Sequence, residues 1–437
     1  MRAEIAADQR ALTIDDATLP VVDLSGLFTG DAGDTAAVAA RLGEAARGSG
    51  FFYITGHGID QDLIDVLAER GITTPFQIQS LAIPDGIAGR DVCGRAKTGS
   101  GKTLAFGIPM IQRIPKAKPG RPTGLALVPT RELAVQVCRE LEPLAAVRGL
   151  TFEAIYGGSP IEKQIAALKR GVDFVVATPG RMIDLIQQEE LSVADLEGVV
   201  IDEADRMADM GFMPQVEWIL RRTEKKHQTL LFSATLDGMV GALISRYQTD
   251  PVTYEVASRE LTVAEMEHRF LAVHEMDRVR VAARIIGASN RTIIFSRTKW
   301  GADKLTGKLV GEDVRAAAIH GDLRQVQREK ALADFQMGRV KCLVATDVAA
   351  RGIHVDDVDV VIHYDPPSDA KTYVHRSGRT ARVGKSGVVV SLVLWNEELE
   401  VRKLLRRLGM KQPIVEVYSN DVRLDDLMAW DPADEAA

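Results

Sequence analysis

The sequence predicts an α/β protein of two tandem domains, each a parallel sheet flanked by helices, with a small α+β appendage at the N-terminus. Two series of short apolar, β-rich runs alternate with helical segments, which is the pattern of parallel sheets covered on both faces. The first series includes Gly124–Val128, Phe152–Tyr156, Phe174–Ala177, Val199–Ile201 and Thr229–Phe232. The second includes Thr292–Ser296, Ala316–Ile319, Cys342–Ala345, Val358–His363 and Gly387–Leu394. A polar break at Ser258-Arg259-Glu260 separates them, and 437 residues are enough for two or three domains with cores of their own.

Composition narrows the class. Hydrophobic residues make up 46% and charged residues 26% of the chain, as in an ordinary globular protein. No apolar run approaches the ~20 residues of a transmembrane helix. The start of the chain lacks a basic region followed by an apolar core, so a cytoplasmic protein without membrane contact is expected. Cys93, Cys138 and Cys342 form no CxxC pair and read as thiols in a reducing compartment. A net charge of −7 argues weakly against nucleic acid as a partner. Distribution matters more than the sum, and a local Arg-lined groove is enough.

The chemistry begins at Ala96-Lys97-Thr98-Gly99-Ser100-Gly101-Lys102-Thr103. Its glycines let backbone N–H groups converge on phosphate oxygens without Cβ clashes. In such a loop Lys102 reaches the β/γ-phosphates and the Thr103 hydroxyl ligates Mg²⁺. The second element, Asp202-Glu203-Ala204-Asp205, ends the apolar run Gly198–Ile201, so two carboxylates sit at a strand tip. Asp202 offers the hard oxygen that Mg²⁺ prefers. Glu203 is suited to orient and polarise an attacking water. Together the two motifs read as a site that hydrolyses a nucleoside triphosphate.

Further motifs follow in order: Gly71–Gln79, Pro129-Thr130-Arg131-Glu132-Leu133, Gly157-Gly158, Thr178-Pro179-Gly180-Arg181 and Ser233-Ala234-Thr235. In the second half come His320-Gly321-Asp322, Ala345-Thr346-Asp347 leading into Ala350-Arg351-Gly352, and His375-Arg376-Ser377-Gly378-Arg379-Thr380-Ala381-Arg382. From about Leu63 to about Tyr418 the chain resembles a DEAD-box RNA helicase. Singly these strings are weak: a Thr-Pro-Gly-Arg step is most often a turn, and a DEAD string occurs by chance in acidic helices. Their number and order make the match specific.

The resemblance implies two tandem RecA-like domains, ATP and Mg²⁺ as cofactors, and RNA as partner. Gln79 would read the adenine edge, with Phe76, Thr98, Gly99, Ser100, Gly101, Lys102, Thr103, Gly352 and His354 completing the nucleotide site. Thr103 and Asp202 would hold the metal. Lys102, Asp202, Glu203 and the arginine fingers Arg379 and Arg382 would carry catalysis, the fingers contributing roughly 10³–10⁵ in rate. RNA would be held by its backbone, on Pro129, Thr130, Arg131, Gly158, Thr178, Pro179, Gly180, Arg181, Arg297 and Thr346. Binding of this kind is independent of sequence and weakens with salt. Ser233, Thr235, Asp205, Asp347, His375 and Arg376 would couple the two sites. The activity implied is RNA-stimulated ATP hydrolysis with local unwinding of short duplexes. The rival is an ATP-gated RNA clamp or assembly scaffold that does not unwind. A monomer is expected, with targeting left to protein partners.

Residues before about Gly58 fit a different pattern. Leu19–Ser25, a helical stretch Ala36–Arg47, then Gly50–Ile59 resemble the start of a 2-oxoglutarate/Fe(II) dioxygenase of the isopenicillin N synthase type. The iron-binding core of that family does not follow, so oxygenase activity is not expected. His354-x-Asp356 looks like part of an iron triad, but it lies within the Arg351-Gly352 motif and reads as coincidence.

Two positions depart from the helicase pattern. Ile54 stands where the family carries an isolated aromatic that stacks on adenine, a contact worth roughly 1–3 kcal/mol. His354 replaces an Asp near the ribose. The expected organisation is an appendage over 1–58, a nucleotide-binding domain over 59–256, a linker over 257–265, a second domain over 266–418 and an acidic tail over 419–437.

Overall fold

The computed structural model describes residues 20–27, 31–48, 53–56, 58–96, 99–223, 226–236, 238–256, 266–350, 358–380, 387–427 and 429–430. The chain divides into two compact units: 1–157 with 161–257, and 258–437 with the short segment 158–160.

The first unit holds two sheets. A short parallel pair joins β1 (Val21–Asp23) to β2 (Tyr53–Thr55), with Val21 opposite Tyr53. The helix Ala32–Gly48 connects them, and its buried residues are only Val38 and Ala45. The main sheet contains β3 (Val92–Arg95), β4 (Gly124–Leu127), β5 (Phe152–Ile155), β6 (Phe174–Ala177), β7 (Gly198–Asp202), β8 (Gln228–Ser233) and β9 (Val252–Glu255). They lie in the order β5-β6-β4-β7-β8-β3-β9, every pairing parallel.

The second unit repeats this plan with β10 (Glu267–Ala272), β11 (Thr292–Phe295), β12 (Ala316–Ile319), β13 (Cys342–Ala345), β14 (Val360–His363), β15 (Val388–Val393) and β16 (Ile414–Glu416). The order is β12-β13-β11-β14-β15-β10-β16, again all parallel. Relative to the first strand of each unit, the two orders are identical.

Period-2 alternation gives each sheet two buried faces. In β4, Ala126 packs into the core on one face while Leu125 and Leu127 pack into the core on the other. In β11, Ile294 faces one core and Ile293 with Phe295 the other. The four strands absent from the sequence reading, β3, β9, β10 and β16, are polar or glycine-containing: VCGR, VTYE, EHRFLA and IVE. Sheet neighbours, not apolar runs, make them strands.

Two boundaries take on physical content. The helix Gln61–Glu69 buries Leu63 completely in the main core. Just before it, the Gln112 side chain donates to the Gly58 carbonyl at 2.8 Å, and Asp60 pairs with Arg148. At the other end, the described part of the acidic tail expected over 419–437 is anchored to the second unit. Leu424 is fully buried, and Asp425 pairs with Arg284 at 2.7 Å, so apolar anchors override the acidic composition. Cys93 and Cys342 are buried and all three cysteines are free thiols.

Candidate active site

The phosphate loop leaves the end of β3 and enters the helix Lys102–Arg113. Gly99 and Gly101 both have φ of +83°, the left-handed region that glycine tolerates without a Cβ penalty. At Gly101 space is a second constraint, since a Cβ there would lie 2.4 Å from Gln79 Nε2 and 2.6 Å from Phe76 Cδ2. Gln79 is buried: its Nε2 donates to the Gly101 carbonyl at 2.9 Å, and its Oε1 accepts from Phe76 N–H at 2.8 Å. The amide read from the sequence as an adenine contact therefore also braces the phosphate loop against the N-terminus of the helix Gln77–Ile87. The Phe76 ring is 59% exposed beside it.

Lys102 is buried, and its Nζ donates to the Ala96 carbonyl at 3.2 Å while lying 3.9 Å from Asp202 Oδ1. Asp202 ends β7 at 3% exposure. Burial pushes its carboxyl up to about 6; the charges of Glu203 and Asp205 add to this, while Lys102 and the Glu203 N–H oppose it. Glu203 caps the helix Ala204–Asp209 with φ of +53°, a strained backbone for a non-glycine residue. Its N–H donates to Asp202 Oδ1 at 2.9 Å, and its Oε2 accepts from Arg206 Nη1 at 2.6 Å. Arg206 escaped the sequence reading; the i,i+3 spacing from Glu203 on a helix was the available signal. Thr103 is engaged with Glu140, whose carboxyl is raised by burial and lowered by a hydrogen bond from the Thr103 side chain.

Asp202, Glu203 and Asp205 outnumber Lys102 and Arg206 here, so the pocket is short of positive charge, which fits a divalent cation. Among the described residues there is no cluster of three or more His, Cys, Asp or Glu able to hold a metal unaided. The residues present that offer Mg²⁺ hard oxygens are Asp202 and Thr103, and such an ion keeps several waters besides its protein ligands.

Ser233, at the end of β8, links the parts. Its carbonyl accepts from Ala96 N–H at 2.9 Å, its hydroxyl donates to Asp205 Oδ1 at 2.9 Å, and its Oγ accepts from Asp205 N–H at 3.1 Å. Thr235 follows at the same sheet edge. The residues read as RNA contacts lie at strand ends and helix starts. Thr130, after Pro129, caps the helix Arg131–Val147 by accepting from Leu133 N–H at 3.3 Å. Thr178 precedes the helix Pro179–Gln187, which carries Gly180 and Arg181 in its first turn. Arg181 donates to Gln164 Oε1 at 2.9 Å, and Gly158 takes φ of +85°.

In the second unit Arg297 and Thr346 follow β11 and β13. Arg376 is buried and makes a two-pronged pair with Asp347, Nε to Oδ1 at 2.6 Å and Nη2 to Oδ2 at 2.9 Å. A third bond runs from its Nη1 to the Asp365 carbonyl at 2.7 Å. His375 is the exposed neighbour on the same helix, Ala370–Ser377, and Arg379 lies in the turn that ends it. Thr98, Gly352, His354 and Arg382 lie outside the described residues, as does the side chain of Ile54.

A glycine-rich loop and a carboxylate pair at the carboxyl ends of a parallel sheet, with the sheet repeated in the second unit, define a P-loop nucleotide-binding protein of the tandem RecA-like class. Comparison with known proteins narrows this. The DEAD/DEAH box helicase family matches residues 76–241, and the helicase conserved C-terminal domain matches 276–384. The chain is 39% identical over 348 residues to the DEAD-box ATP-dependent RNA helicase CshA of Bacillus licheniformis, covering 79% of this chain and 71% of that protein. It is 40% identical over 382 residues to DEAD-box ATP-dependent RNA helicase 9 of rice (Oryza sativa subsp. japonica), covering 85% of this chain and 60% of the relative. Among solved structures it resembles S. cerevisiae Dbp5 bound to RNA and ADP BeF3, with a TM-score of 0.70 and 29% identity over 84% of this chain and 95% of that one. The chain belongs to the DEAD-box RNA helicase family. Residues 19–72 match the N-terminal region of the non-haem dioxygenases of morphine synthesis, so the dioxygenase-like head is also present. No helix among the described residues is long and apolar enough to cross a membrane.

Proposed function

We propose that this protein is an ATP-dependent RNA helicase that grips RNA backbone and separates short duplexes in step with ATP hydrolysis. The observation that carries the reading is the buried constellation of Lys102, Asp202 and Glu203 under a phosphate loop whose glycines are left-handed. Lys102 meets the β/γ-phosphates. Thr103 and Asp202 are the residues to hold Mg²⁺, which, when bound, screens phosphate charge. Glu203, kept in place by Arg206, orients water and takes up its proton. Arg379 and Arg382 of the second unit supply positive charge for the transferring phosphoryl group. Ser233, joined to both Ala96 and Asp205, transmits the state of the nucleotide to the RNA face.

The Dbp5 structure named for RNA and ADP BeF3 supports RNA and nucleotide as ligands here. A monomer of cytoplasmic location is part of the same reading, with protein partners supplying the targeting. RNA-stimulated phosphate release, measured beside strand release from a short duplex, tests it. Wild type is expected to do both and Glu203→Gln neither. ATP-dependent RNA retention without strand release in wild type would replace unwinding by clamping.

A further inference from the structure

Trp395 stands out among the residues at the end of the second sheet. It lies in the turn directly after β15, and its side chain is 84% exposed. An indole of this size ordinarily finds cover, in a core or in an interface. The turn that carries it is well fixed. Glu397 N–H donates to the Leu394 carbonyl at 2.9 Å, and Leu394 N–H donates to Glu397 Oε2 at 3.2 Å.

The same Glu397 carboxylate faces Arg297, with Oε1 3.7 Å from Nη2, and it faces the buried Arg278 at 3.6 Å. Arg297 is itself positioned, since its N–H donates to Asp365 Oδ2 at 2.7 Å. Its guanidinium remains 67% exposed. At 3.7 Å and with that exposure the Arg297–Glu397 pair is worth little, so the guanidinium can turn to a phosphate. Because every strand of the sheet is parallel, Arg297, Thr346 and Trp395 all sit at its carboxyl edge, where such sheets bind ligands.

We infer that Trp395 is a stacking platform for one RNA base, whose neighbouring phosphate is held by Arg297. The inference rests on the RNA-binding reading above and adds a base-face contact to a grip otherwise made to phosphate and sugar. Stacking on an indole accepts any of the four bases, so the added contact raises affinity without imposing sequence. Met276, 84% exposed in the loop after the adjacent strand β10, widens the apolar surface at this edge.

Binding of fluorescently labelled single-stranded oligouridylate to the full chain, in the presence of a non-hydrolysable ATP analogue, tests the assignment. Trp395→Ala is expected to weaken binding roughly 5- to 100-fold, and Trp395→Phe only a few-fold. A matched oligonucleotide lacking its bases should bind wild type more weakly by the same factor, yet bind Trp395→Ala and wild type alike. Unfolding curves matching wild type show that the variant is folded. Equal affinity of Trp395→Ala and wild type for the uridylate overturns the platform and leaves the indole to a protein partner. If wild type binds neither oligonucleotide, the RNA-binding reading itself is what fails.

Discussion

The amide nitrogen of Gln79 donates to the carbonyl oxygen of Gly101 at 2.9 Å, so the residue read as choosing the base also holds the loop that cradles the phosphates. Specificity and catalysis are joined at one side chain. With Oε1 bound to Phe76 N–H, the amide keeps one N–H and one lone pair for a ligand.

That bond predicts how the loop fails. Gln79→Ala leaves the Gly101 carbonyl and the Phe76 N–H without their partner, at about 1–3 kcal/mol for a buried polar group. ATP affinity measured by calorimetry is expected to fall roughly tenfold or more, through loop disorder as well as lost base contact. GTP affinity should fall with it. If GTP binding is unchanged while ATP binding drops, Gln79 acts on the base alone.

Gly101→Ala is the sharper version. The new Cβ meets Gln79 Nε2 at 2.4 Å in a backbone of φ +83°. Nucleotide binding is expected to be abolished in a calorimetric titration, while the unfolding transition of the second unit stays where it was.

Arg206 is expected to act through Glu203. Removing it in Arg206→Ala deletes a charge-assisted hydrogen bond of 2.6 Å and lets the carboxylate leave its position. A fall in kcat of at least about tenfold is expected, with KM for ATP nearly constant, from roughly 1.5–3 kcal/mol of lost orientation. Arg206→Lys should recover part of it. A change in KM alone would contradict this role.

Asp173 sets a pH dependence of stability in the first unit. It accepts from Ala117 N–H at 2.6 Å and from Thr151 N–H and Oγ at 2.7 and 2.9 Å. Burial pushes its carboxyl up, but these donors outweigh burial and hold it below the usual 3.8. A depressed carboxyl stabilises above its unfolded value and loses that contribution as pH falls. Asp173→Ala is expected to cost about 2 kcal/mol at neutral pH. Urea unfolding should show that gap shrinking below about pH 4. A gap constant from neutral pH to pH 3 would rule the charge out.

Arg376→Lys tests the second unit. Lysine cannot reproduce the fork that binds both oxygens of Asp347 and also reaches the Asp365 carbonyl. The substitution keeps the charge but loses the second prong to Asp347 and the bond to the Asp365 carbonyl, a loss of about 1.5–3 kcal/mol. The thermal transition of the second unit should drop by several degrees, with RNA-stimulated turnover lost together with it.

The sequence by itself determined the two α/β units, the phosphate loop and the carboxylate tip. These are local: glycines at fixed offsets, and apolar runs that have to be strands, keep their meaning wherever the chain goes. Tertiary structure decided what depends on neighbours. Strands such as VCGR and EHRFLA exist because parallel partners complete their hydrogen bonds. Leu424 turns inward because a core takes it. Gln79 and Gly101, and Glu397 and Arg297, are far apart in sequence, and only folding brings each pair within reach. The triphosphate end of the site was legible as composition and spacing; its bracing was not, because a hydrogen bond between distant residues leaves no periodic trace.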